Sequence, residues 1–202
     1  MTEFGKTAAF LQLRATQQQG FTVRKGAVKK QCGEFYTTDA AGKEVELFLN
    51  PVNGEVFSAA LGAGAWLHAP GQSPVPLAVS RAHDLASGLI GSVLPSAANT
   101  SFERVLAAWL DVARRAGSIR RTGAAALDLA HVAAGRLDGF FVLSLSSWDA
   151  AAGALLVREA GGAVCDFTGG DNFLTSNQVI AGSAVIASEL VAVLRRHAVS
   201  TG

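Results

Sequence analysis

The stretch AGRLDGFFVLSLSSWDAAAGALLVREAGG, Ala134 to Gly162, constrains what this chain can fold into more than any other. Phe140 to Leu145 is an apolar run with the length of a buried strand. Ser146 and Ser147 follow with hydroxyls suited to capping a helix. Trp148, Ala151, Ala152, Leu155 and Leu156 then recur at helical spacing as one apolar face, and Gly161-Gly162 closes the helix. A strand running into a helix sets one carboxylate, Asp149, where the two meet. In open α/β sheets that edge is where ligands collect. On spacing alone the simpler role comes first, a first-turn acid facing the helix dipole, worth about 0.3–1 kcal/mol.

The rest of the chain supplies elements around this unit. Thr2 to Gln19 reads as a helix, with Phe4, Ala8, Leu11 and Ala15 near helical spacing and Gly20 as its stop. Phe21 to Lys25, Glu34 to Thr38 and Lys43 to Leu49 alternate apolar with polar residues, as half-buried strands do. Asp39 to Gly42 and Asn53-Gly54 are hairpin turn sequences. Val56 to Leu61, Ala65 to Leu67, Leu77 to Val79 and Gly88 to Leu94 are expected strands, with a proline-rich surface loop from Ala69 to Pro76. A helix is expected from Asn99 to Arg115 and a small-residue helix from Gly123 to Ala134. Beyond the central unit, Ala163 to Phe167 and Gln178 to Ala181 read as strands, and Ala184 to His197 as an amphipathic helix. Strands alternating with helices predict a mixed α/β sandwich preceded by a small helix-plus-meander module.

Composition narrows the function classes. Half of the 202 residues are hydrophobic and 16% are charged, so a substantial core is available and disorder is not expected. A net charge of +1 argues for neither a nucleic-acid nor a membrane partner. Arg24-Lys25 and Lys29-Lys30 read as a solvated strand edge. Cys32 and Cys165 are too few and too far apart for a metal motif or a disulfide framework, which suits a reducing cytoplasm. No apolar run has the length of a membrane span, and the first residues lack a basic-then-apolar leader pattern. The chain is therefore expected to be cytoplasmic.

The wording GRLDGFF, then WDAAAGALLVREAGGAVCDFTGGDNFL, closely resembles the C-terminal half of the inositol monophosphatase family of magnesium-dependent phosphatases. The resemblance extends upstream through Arg120-Arg121-Thr122-Gly123-Ala124-Ala125-Ala126-Leu127-Asp128-Leu129 and downstream through Val179 to Gly182. A weaker match reaches Val52 to Phe57 and Gly62 to Ala65, so the similarity spans about residues 50–197. The segment before it, QGFTVRK with CGEFYTTDAAGKEVELFLNPVNGEV, resembles a PepSY-type module. The expected organisation is residues 1–50 as that module and residues 51–202 as the phosphatase-like region.

The resemblance implies metal-assisted attack of water on a phosphate monoester of inositol or a similar sugar alcohol. It implies Mg2+ as cofactor and Asp149 as a metal ligand. It also implies that Gly123, Ala124, Ala125 and Ala126, together with Asp149, line the substrate side, where small side chains and helix N–H groups are required. Two departures stand against full activity. The family's W-x-x-D-P-x-D-G-T string, which supplies most of the ligands, does not occur here. Seven residues before Asp149, where the family places a hydroxyl-binding Glu, stands Val142. The expected protein is thus a degenerate phosphomonoesterase of that family, with no catalytic residue assigned. A non-catalytic pseudoenzyme or protein-interaction module is the alternative.

Among the remaining acids, Asp128 lies within a helix near the site, where it could orient backbone or water, though a solvated or capping carboxylate is the first reading, and Asp138, Asp166 and Asp171 read as turn acids. Gly169-Gly170 lacks the Lys-Ser/Thr of a phosphate loop, and His68, His83, His131 and His197 form no recognisable triad motif. The family comparison implies a dimer. It also leaves strand faces such as Leu89 to Leu94 uncovered unless the N-terminal module or a second subunit caps them, and a large bare apolar patch is unusual on a monomer.

Overall fold

In a computed structural model, the structure describes residues 22–29, 32–38 and 44–49 by their backbone, and residues 55–94 and 102–198 in full. The expected helix at Thr2–Gln19 and the turns at Asp39–Gly42 and Asn53-Gly54 lie outside these ranges. Alternating sequence becomes strand where expected. The strands β1 (Thr22–Lys29), β2 (Cys32–Thr38), β3 (Glu44–Leu49), β4 (Val56–Ala59), β5 (Ala65–His68) and β6 (Val75–Pro76) form one antiparallel meander in chain order. This sheet runs on both sides of residue 50, because Phe48 pairs with Phe57 and Leu49 with Val56. Its last strand is shifted from the expected Leu77–Val79. Pro76 has no N–H to give a further partner, which suits an edge strand. Leu77 N–H instead bonds the Ala65 carbonyl at 2.8 Å, and Val79 N–H leaves the sheet for the Ala160 carbonyl at 3.1 Å.

The second sheet is mixed. Its strands are β7 (Leu89–Ser92), β8 (Ser118–Arg120), β9 (Gly139–Val142), β10 (Ala163–Cys165) and β11 (Val179–Gly182), in the order β10-β11-β9-β7-β8. β7 runs parallel to both β8 and β9, while β9, β11 and β10 pair antiparallel. Side-chain alternation divides this sheet between two cores. Phe140, Val142, Val179 and Ala181 face one core, and Phe141 and Ile180 the other. The helices α1 (Phe102–Ala113) and α5 (Ala184–Leu194) cover the second face with Val105, Ala108, Val112, Ile186 and Leu190. The helices α2 (Ala125–Ala133) and α3 (Ser147–Glu159) cover the first, which they share with Phe57 and Ala65 of the meander. The short α4 (Phe173–Ser176) follows β10. The layers are meander, α2–α3, mixed sheet, α1–α5.

The strand at Leu89–Leu94, expected to be bare unless the N-terminal module or a second subunit capped it, is covered by helices of this chain. Ile90 is fully buried and Gly91 and Ser92 are buried, because β7 is an interior strand with helices on both faces. The layering also corrects the buried face of α3. The residues turned inward are Ala150, Gly153, Ala154, Leu156 and Val157, while Trp148 is 63% exposed. Gly153 decides this, for a Cβ there would lie 2.6 Å from Leu129 Cβ; only a hydrogen lets α2 and α3 approach so closely. Nor do the serines cap α3: Ser146 occupies the cap position without a side-chain bond, and Asp149 N–H goes to the Ser146 carbonyl at 3.0 Å.

Polar clasps hold the meander onto the helices. Glu159, the last residue of α3, accepts the Gly62 and Gly64 N–H groups at 2.9 and 2.8 Å. Arg136 forks onto Glu55 with two bonds of 2.6 Å and lies over the Phe57 ring. Among the described residues no helix is long and apolar enough to cross a membrane.

Candidate functional site

Because β8 and β9 both run parallel to β7, the helices that follow them, α2 and α3, start from the same edge of the sheet. Helix N-termini at the carboxyl end of parallel strands turn unpaired N–H groups outward, which favours anions. That edge brings together the residues singled out from sequence. Gly123 lies in the lead-in to α2 at φ +94, a conformation that glycine adopts without strain, and nothing lies within 4 Å of the place a Cβ would take. Ala124 is the cap residue of α2, in an extended conformation and without a side-chain cap. Ala125 is half-buried and Ala126 buried. Asp149 stands partly exposed in the first turn of α3, beside the exposed Trp148.

Asp128 is not the solvated acid that the sequence suggests. It sits in the first turn of α2 at 0% exposure. Its Oδ1 accepts the Thr122 hydroxyl at 2.5 Å, and its Oδ2 is buried with no partner. Burial pushes its carboxyl up to about 6, against the Thr122 bond, which favours the charged form. Sequence pattern does not reveal this, since the partner lies outside the helix and the burial comes from β7. Val142, by contrast, is a core residue of β9, 3% exposed and paired with Val179.

The other polar candidates have structural roles. Asp166 accepts Thr168 and Gly170 N–H groups in its turn, and Asp171 pairs with Arg158. Asp138 receives the Leu89 N–H at 2.6 Å, tying β7 to the turn before β9. Burial, with Asp166 adding to it, pushes the Cys165 thiol up to about 11, so it is no nucleophile at neutral pH. Ser58 Oγ and His68 Nε2 lie 2.8 Å apart, a pair hidden from motif reading because it forms across β4 and β5. Burial lowers the His68 pKa.

Magnesium requires about six oxygens in near-octahedral array, usually from more than one carboxylate. Among the described residues no three His, Cys, Asp or Glu side chains gather where they could hold a metal ion. The donor set around Asp149 therefore does not fit that ion.

The fold is a four-layer α/β sandwich that brings two helix N-termini and one partly exposed acid to a common sheet edge, the place where ligands collect in such folds. Residues 47–199 match the inositol monophosphatase family, and residues 7–60 match the peptidase propeptide and YPEB domain. The chain belongs to the inositol monophosphatase family. It is 40% identical over 152 residues to the Escherichia coli protein named Nus factor SuhB, an alignment covering 75% of this chain and 55% of that one. A crystal structure of extragenic suppressor protein suhB from Bartonella henselae superposes with a TM-score of 0.70 at 36% identity, covering 82% of this chain and 62% of that one. The inositol monophosphatase from Anabaena (Nostoc) superposes with a TM-score of 0.65 at 27% identity, covering 82% and 64%. The chain thus spans about half the length of the curated relatives it matches. Proteins of this family generally use Mg2+.

Proposed function

We propose that this chain keeps the substrate-side edge of an inositol monophosphatase-family site and is, by itself, degenerate as a magnesium-dependent phosphomonoesterase. Gly123, Ala124, Ala125 and Ala126 with Asp149 are the proposed contacts to a phosphorylated polyol, and Asp149 is the one metal-ligand position of the family proposed to be retained, too little by itself to hold the ion. The observation that carries the reading is the ligand set: among the described residues Asp149 belongs to no cluster of three metal-binding side chains. A lone carboxylate at a helix start contributes about 1 kcal/mol at most. Even millimolar binding needs about 4 kcal/mol. Without a held ion, neither an activated water nor a neutralised phosphate is supplied.

The test is inositol 1-phosphate turnover at millimolar magnesium, beside Asp149→Asn. No turnover in either folded protein supports the proposal. Robust turnover in the parent that vanishes in the variant overturns it.

A second reading, a non-catalytic interaction module, draws support from Val142. A buried valine cannot accept hydrogen bonds from substrate hydroxyls, so polyol recognition loses a contact. The relatives of 40% identity are named Nus factor SuhB, which suits a chain that acts as a factor. We further propose a junction at about residue 50, within reach of the 47–60 overlap of the two matched families. A cytoplasmic homo-oligomer is the proposed state, on the ground that family members are commonly oligomeric. Light scattering that returns a monomer at micromolar concentration would refute the assembly.

A further inference from the structure

We infer that Asp128 is a positioning residue: through Thr122 it sets the lead-in turn of α2 and thereby aims the N–H groups of the Gly123–Ala126 edge. The inference rests on the proposed assignment of that edge to the substrate side. Three contacts in series carry it. Ala124 N–H donates to Thr122 Oγ1 at 3.5 Å, and the Thr122 hydroxyl donates to Asp128 Oδ1 at 2.5 Å. Asp128 is itself anchored in the helix, where its N–H bonds the Ala124 carbonyl at 2.9 Å. The relay therefore closes a loop from Ala124 through Thr122 to Asp128 and back to Ala124. Gly123 is spanned by that loop, in a backbone conformation that needs to be held from outside because glycine alone does not hold it.

The relay has a direction. A hydroxyl has one proton to give and two lone pairs to offer. An ionised carboxylate can only accept, so it draws the Thr122 proton inward and leaves the lone pairs of Oγ1 facing Ala124 N–H. A protonated Asp128 can donate instead, which frees the Thr122 proton and weakens Oγ1 as the acceptor for Ala124. Among the described residues the groups against the carboxyl are uncharged: Gly91 of β7, whose Cβ position lies 3.5 Å from Asp128 Cγ, and Thr122 of the lead-in. Its titration is accordingly governed by burial and by that one hydroxyl, and falls near pH 6.

Such a carboxyl is not explained by stability. A fully buried acid with one oxygen unpartnered, on a helix whose neighbouring residues Leu127 and Leu129 belong to an apolar core, is a liability. What its contacts do is hold the turn at the proposed substrate-side edge.

The experiment follows the backbone amides of Gly123, Ala124 and Ala125 by NMR in the full chain, from about pH 4.5 to about pH 8. In the parent the Ala124 amide shifts with a midpoint near 6. Asp128→Asn abolishes that titration. Thr122→Val uncouples it, so that the Asp128 carboxyl still titrates while the Ala124 amide stays flat, and Thr122→Ser restores the coupling. A flat Ala124 amide in the parent, or an unchanged titration in Thr122→Val, overturns the inference. Should Asp128→Asn fail to fold, the Thr122 pair of variants decides alone. Inositol 1-phosphate is then added at each pH. If the relay titrates as expected and the ligand never perturbs Ala124 to Ala126, the positioning role stands and the substrate assignment falls.

Discussion

Helices α2 and α3 leave the same sheet edge and each carries one acid in its first turn, yet the two acids occupy different media. Asp149 is partly exposed and keeps access to water. Asp128 is sealed between α2 and β7 with one hydroxyl for company. The difference teaches that position on a helix does not set the chemistry of a carboxylate. Nearly identical local patterns give a surface group in one case and a strained internal one in the other, because the covering elements differ. The covering strand makes that contrast: the side-chain-free Gly91 of β7 lies against the Asp128 carboxyl, while Asp149 stays partly exposed.

The largest expected effect comes from prising those helices apart. Gly153→Val would place a Cβ 2.6 Å from Leu129 Cβ, a contact that no side-chain rotation relieves. A loss of about 3 kcal/mol or more in urea unfolding is expected. A loss under about 0.5 kcal/mol would show that the close α2–α3 approach at Gly153 does not need a bare hydrogen there.

Next in size is Asp128→Asn, whose effect depends on pH. The folded carboxyl keeps its proton up to about pH 6, while an unfolded one releases it near 3.8. The stabilising contribution of the proton is thus full below about 3.8 and is lost as pH rises through about 6. Two units correspond to about 3 kcal/mol, so the variant should gain about that much on the parent between about pH 4 and about pH 8. Urea unfolding at the two pH values measures it, and a difference constant with pH would show that Asp128 is not the strained acid described.

A smaller effect is expected where the meander meets the helix layer. Glu55→Gln removes the charge from the Arg136 fork, whose arginine side chain is 39% exposed and therefore screened. About 1 kcal/mol of stability should be lost. A much larger loss would mean that the meander, and not the α2–α3 contact, imposes order on the helices.

The smallest effect belongs to Asp149→Asn. With no buried partner to abandon, it should change unfolding stability by less than about 0.5 kcal/mol. Calorimetric titration with millimolar magnesium should give the same null result as the parent. A parent-specific magnesium signal would reveal ligands beyond those that the described residues bring together.

The sequence by itself determined the elements and the edge. The apolar run at Phe140, the helix pattern after Ser146, the glycines that end it and the alternation of the meander are local signals, and β9, α3 and β1 to β5 overlap the stretches these mark, although β1 runs on to Lys29 and β9 stops at Val142. Asp149 at a strand-to-helix junction was legible for the same reason. The tertiary structure alone decided which way α3 faces, because an alanine-rich helix offers apolar residues on every side and hydrophobicity cannot choose among them. Gly153 lies at the contact with Leu129 of α2, on the inward face of α3, and Trp148 is left outside. Coverage of Ile90 was equally invisible, since it comes from helices distant in the chain. So was Asp128, whose burial requires β7 and whose one partner, Thr122, lies across a glycine turn. A carboxylate flanked by leucines looks solvated in sequence; its desolvation is a property of what packs against it, and only the assembled layers supply that.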